Sequence, residues 1–178
     1  MTDILEKLHG GDLRSIGQAN EVVQEIEKKP ALFGAVFSGL YDREPVVRMR
    51  SADVIEKVTK NKPELLSGYT SKAITILAFA EQQEVCWHMA QVAPRLECTA
   101  NEENEIIEVL KRYLLHKSKI VTVSAMESLA IFAERNSSIL HEVIEIIKKQ
   151  KKNGSPAVQS RGRKLLQRLE RKQANIKA

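Results

Sequence analysis

Aromatic side chains are scarce in this sequence, at 4% of its residues, and cysteine occurs only as Cys86 and Cys98. That pair reads as two reduced thiols of a cytoplasmic chain rather than a disulfide. No apolar run approaches the ~18 residues that a membrane span needs, so no membrane partner is expected. The opening stretch MTDILEKLHGG has acidic residues and no apolar h-region, so it does not read as a signal peptide. Strand signals are missing as well: no alternating run exceeds a few residues, and no hairpin dipeptide separates two such runs.

Signs of chemistry are equally thin. The histidines, His9, His88, His116 and His141, lie far apart, and none has a second ligand one helical turn away. No metal site is therefore expected. No serine or cysteine sits in a nucleophile elbow, and Gly10-Gly11 reads as a turn rather than a phosphate loop. The acidic stretch from Asn101 to Glu108 reads as a capped helical first turn. The sequence thus singles out no catalytic residue and no cofactor, and a non-enzyme is expected.

What is present is aliphatic and charged: 43% hydrophobic and 29% charged residues, the profile of helices with aliphatic cores. The charge is uneven. From Lys148 onward there are eleven Lys/Arg and one acid, a net of +10. The remaining residues hold 17 basic and 22 acidic side chains, a net of −5. The basic end suits either an acidic partner such as nucleic acid, or a solvated cap on the last unit of a stack.

The dominant signal is repetition. Val47, Ser51, Ile55 and Val58 form a stripe on one face of a helix. Shifted by 38 positions it becomes Val85, Met89, Ala93 and Leu96; by 74, Val121, Ala125, Leu129 and Phe132; by 111, Val158, Gly162, Leu166 and Leu169. Between these stripes lie apolar stretches, Leu32–Leu40, Ile74–Ala80, Ile106–Leu115 and Ile139–Ile147, each read as a partner helix needing cover on more than one side. Helix ends fit the plan. Lysines followed by proline close one helix and open the next at Pro30 and Pro63, and Pro45 and Pro156 start helices. Ser118 is placed to cap another. The expected fold is an all-α superhelix of about four to five antiparallel helix pairs.

The segment from Asp42 to Ile55, with its turn Asp, Val47-Arg48, Ala52 and a large aliphatic, resembles the second-helix signature of HEAT repeats. The chain is similar to small bacterial HEAT-repeat proteins, and more distantly to HEAT-like DNA-alkylation-repair proteins. The resemblance implies a HEAT-like solenoid over residues 1–172, with 173–178 as a flexible basic tail. It also implies a stacking ladder through Asp42 and Arg48. The other repeats hold Cys86, Thr122 and Gln159 at the Arg48 position, and Ala80, His116 and Asn153 at the Asp42 position.

In that family the second helices line a concave row, and their outward face is the natural binding surface. Trp87 turns away from the core in this register, and tryptophan is a favoured binding anchor. Arg50, Trp87, His88, Gln91 and Arg95 are therefore the candidate centre of a groove. The alternative is that Trp87 simply lies over its neighbours. Arg161, Lys164, Arg168 and Arg171 form a candidate basic patch for phosphate contacts. The expected function is an interaction module that holds a protein or peptide in its groove. The alternative is a nucleic-acid-binding protein without catalysis, because Gln91 stands where the alkylation-repair resemblance would want an acid.

Overall fold

The computed structural model describes residues 4–177 of the chain. Among these residues there is no strand. Nine α-helices follow one another: α1 (Ala19–Lys28), α2 (Phe33–Ser38), α3 (Pro45–Asn61), α4 (Thr70–Phe79), α5 (Gln83–Val92), α6 (Ala100–Tyr113), α7 (Lys119–Arg135), α8 (Leu140–Asn153) and α9 (Pro156–Lys177). Short 3-10 turns precede or extend several of them, the first at Ile4–Leu8.

Local chemistry explains the starts. Pro45 and Pro156 open α3 and α9, where a missing N–H costs nothing and the ring pre-sets φ. Thr99 and Glu102 form a reciprocal capping box at α6. The Thr99 N–H and the Thr99 hydroxyl both donate to the Glu102 carboxylate and hold it below the usual carboxylate range. Ser118 stands at the first position before α7, but its hydroxyl makes no capping bond. Its N–H instead donates to His116 Nδ1 at 3.0 Å.

The helices form two rows. α2, α4, α6 and α8, the first helices of their pairs, form the first row; α1, α3, α5, α7 and α9 pack side by side against them as the second row. Together with the first 3-10 turn this makes five pairs, an all-α superhelix. The four stripes read from the sequence all point inward. Val47, Ser51, Ile55, Met89, Ala93, Val121, Ala125, Leu129 and Leu169 are fully buried, and the remaining members are nearly so. This continuous aliphatic seam, each row covering the other, supplies the main stabilising term.

Two expectations need correction. The first-row stretches do not stay buried to their ends: Phe79 is 80% exposed and Leu115 is 85% exposed. Phe79 is the last residue of α4, and Leu115 lies in the turn that follows α6. The chain beyond residue 172 also continues as part of α9 to Lys177, because Gln-Ala-Asn-Ile contains no breaker. Among the described residues, no helix is long and apolar enough to cross a membrane.

Candidate functional site

The outward face of the second row was the expected site. Its basic residues are instead committed to holding the fold. Arg50 is only 2% exposed. Its guanidinium donates to the carbonyls of Leu8 at 2.8 Å, His9 at 3.0 Å and Ser15 at 3.0 Å. It thereby pins the irregular segment before α1 against α3. A buried cation is tolerable only when its donors find partners, and Nε and Nη1 both do so here. Arg50 is thus not a groove residue. Sequence periodicity could not report this, because the partners lie in a segment without periodicity.

Arg95 reaches back one repeat. It donates to the backbone carbonyl of Glu56, to Thr59 Oγ1 at 2.9 Å and to the Glu56 carboxylate at 2.8 Å. The same device recurs along the stack: Lys62 Nζ donates to the Glu27 carbonyl at 2.9 Å, and Arg135 donates to the Pro94 carbonyl. Lys62 meets the last turn of α1 and Arg135 the 3-10 turn that follows α5, near the negative ends of those helices, whereas Arg95 meets α3 five residues before its end. The expected Asp42–Arg48 ladder takes a different form. Arg48 donates to the carbonyls of Asp42 and Arg43, and to Gln82 Oε1 in the next repeat at 3.0 Å. The Asp42 carboxylate meanwhile accepts from the Glu44 N–H.

Trp87 and His88 sit together, with ring centroids 5.2 Å apart and planes tilted by 52°. Trp87 is half-buried and packs against the core. Gln91 donates from Nε2 to the Trp87 carbonyl at 3.4 Å. His88 Nε2 lies 3.9 Å from Asp53 Oδ1, whose other oxygen is 2.6 Å from Lys57 Nζ. The His88 Nδ1 is buried and has no hydrogen-bond partner. Burial pushes the His88 pKa down, outweighing the pull of Asp53 and Glu56 upward. The imidazole is therefore neutral at pH 7. No group of three or more His, Cys, Asp or Glu among the described residues could hold a metal ion.

The basic C-terminal patch is thinner than its composition implies. Arg161 and Arg168 both bond Glu127, at 2.9 and 3.0 Å, and Arg168 also meets Glu134. Lys164 and Arg171 are exposed on the same helix.

A different feature emerges at the turns that join each first-row helix to its second-row partner. Tyr41, Phe79 and Leu115 occupy one register, related by the same shifts of 38 and 74 as the core stripes. They are 55%, 80% and 85% exposed, and neighbouring Ile120 is 55% exposed. Single exposed apolar residues are ordinary, but a row at the repeat period is not. Hydrogen bonds between consecutive repeats hold the turns in one edge: Gln82 Nε2 to the Pro45 carbonyl, Tyr113 Oη to the Leu77 carbonyl at 2.6 Å, and Gln150 Nε2 to the Leu114 carbonyl. Between the first two turns opens a cavity of about 330 Å³ lined by Leu40, Tyr41, Ile76, Phe79 and Val85, with Arg48 at its polar side. Sequence reasoning missed this row because Phe79 and Leu115 continue apolar stretches and so read as core.

No family model matches the chain, and no curated protein matches it. Among solved structures it is similar to the crystal structure of an engineered protein, with a TM-score of 0.64 over 94% of this chain and 78% of that one. The two sequences are 15% identical, so the likeness speaks to the fold alone.

Proposed function

We propose that this chain is a non-enzymatic interaction module of HEAT type that binds protein along its turn edge. One observation carries the reading: Tyr41, Phe79 and Leu115 recur, exposed, at the period of the repeat, and the first two line a largely apolar cavity. Leaving such side chains in water sacrifices roughly 25 cal/mol for each Å² of apolar surface that a partner would cover. An apolar pocket flanked by aromatic side chains suits the anchoring side chain of a partner. The HEAT assignment draws on the near-equal shifts and on the stretch from Asp42 to Ile55. A cytoplasmic location accords with the two free thiols, Cys86 and Cys98.

The groove reading centred on Trp87 has less support, because Arg50 and Arg95 are already bonded within the fold. The nucleic-acid reading is weakened in the same way by the pairing of Arg161 and Arg168 with Glu127.

The test is a pull-down from the native cell with wild type, Phe79→Glu and Trp87→Ala. The expected result is a bound protein that Phe79→Glu loses and Trp87→Ala retains. Loss with Trp87→Ala and retention with Phe79→Glu would contradict the reading.

A further inference from the structure

We propose that the turn edge pairs with the same edge of a second copy of this chain, antiparallel, about a twofold axis between the Phe79 and Leu115 turns. The inference rests on the reading of that edge as a protein-binding surface and names its partner.

The edge is self-complementary in charge. Taking five residues from the exposed register position, the first turn (41–45) holds Asp42, Arg43 and Glu44, for a net of −1. The second (79–83) holds Glu81, also −1; the third (115–119) holds Lys117 and Lys119, +2; the fourth (152–156) holds Lys152, +1. Glu81, Lys117, Lys119 and Lys152 are all exposed. Parallel superposition of two such edges would set like charges together. Reversing one copy sets the first turn against the fourth and the second against the third, so every facing pair has opposite sign. Opposed patches of this kind fix register and suppress the wrong one.

The same reversal matches the apolar row. Position by position the register reads Tyr41, Phe79, Leu115, Lys152. Phe79 of one copy then faces Leu115 of the other, with Ile120 beside it, and both lose their exposure. Tyr41 faces Lys152, an aromatic ring opposite an ammonium, which attract through the ring quadrupole. Each contact occurs twice, as a twofold interface requires, and twofold dimers are the commonest closed assembly. Size sets the strength. Four turns spaced by the roughly 8–10 Å of packed helices, two helices wide, make a face of roughly 500 Å² per partner. That is the low end of specific interfaces, so the dimer forms and dissociates with concentration.

The experiment is light-scattering mass of the purified chain from micromolar to millimolar concentration. The expected mass rises from 20.1 kDa towards twice that value as concentration increases. Phe79→Glu should weaken association at least tenfold, and circular dichroism should show that it stays folded because the side chain is solvent-facing. Lys117→Glu with Lys119→Glu should weaken it comparably, and adding Glu81→Lys to that variant should restore it. A monomeric mass throughout overturns the proposal, as does a dimer indifferent to Phe79→Glu or a charge swap that restores nothing. The pull-down separates the two failures. If the wild type is monomeric yet Phe79→Glu loses a different protein, self-pairing falls and the edge remains a protein-binding surface. If Phe79→Glu loses nothing, both fall.

Discussion

The Arg50 guanidinium donates to the carbonyl of Leu8 at 2.8 Å across 42 positions of sequence, and both residues are buried. Replacing Arg50 with Met keeps the stem but strands the carbonyls of Leu8, His9 and Ser15. The expected loss is about 3 kcal/mol, from charged hydrogen bonds worth about 1.5–3 kcal/mol each with partial recovery by water. Urea unfolding checks the magnitude, and amide exchange should show residues 4–17 losing protection. An unchanged midpoint would mean that Arg50 does not pin this segment.

Gly39 illustrates a tight approach between α2 and α3. A Cβ placed there would lie 2.2 Å from Ser51 Oγ. Gly39→Ala should therefore cost about 1–3 kcal/mol through overpacking. Ser51 Oγ is itself buried without a hydrogen-bond partner. Ser51→Ala alone should be neutral or stabilising by up to about 1 kcal/mol, and in combination it should recover part of the Gly39→Ala loss. Thermal unfolding of the three variants checks this; additive losses would contradict it.

These cases mark what a sequence can disclose. The four aliphatic ridges are legible because each is a local pattern within one helix, and Val47, Met89, Leu129 and Leu169 all pack inward as that pattern requires. The outward turn of Trp87 follows from the same register, but its degree of cover does not. Cover comes from neighbours one repeat away. Arg95 finds its partners 36 and 39 positions upstream, Arg135 finds its own 41 upstream, and no helical period reports such distances. Phe79 and Leu115 sit at the ends of apolar stretches, where composition alone reads them as core. Only the shared shift with Tyr41 separates them, and its meaning depends on knowing where the facing row stops.

His88 makes stability depend on pH. In the unfolded chain its imidazole takes a proton near the ordinary value of 6.5, whereas in the fold burial holds the pKa lower. The unfolded state therefore binds the extra proton first. The stability contributed by the neutral ring is fully present above pH 6.5 and is lost as pH falls through the folded value. Urea midpoints should decline between pH 7 and pH 5, and His88→Gln should flatten that decline. A midpoint that rises on acidification, with the slope removed by His88→Gln, would reverse the assignment.

The Arg95–Glu56 contact ties α3 to the end of α5 with both partners about one-fifth exposed. A double-mutant cycle with Arg95→Met and Glu56→Gln should give a coupling of about 1 kcal/mol, discounted for solvent screening, that shrinks in high salt. The larger effect should come from Arg95→Met alone, because it also removes the bonds to the Glu56 carbonyl and to Thr59 Oγ1. Equal single losses would place the energy in the ion pair rather than in the backbone contact.

A photo-crosslinking residue placed at position 79, compared with one at position 87, probes most directly whether this protein works through its turn edge. Irradiated in the native cell, the residue at 79 should yield discrete protein adducts and the residue at 87 none. Adducts from position 87 with none from 79 would return the binding surface to the second-row face and contradict the assignment made here.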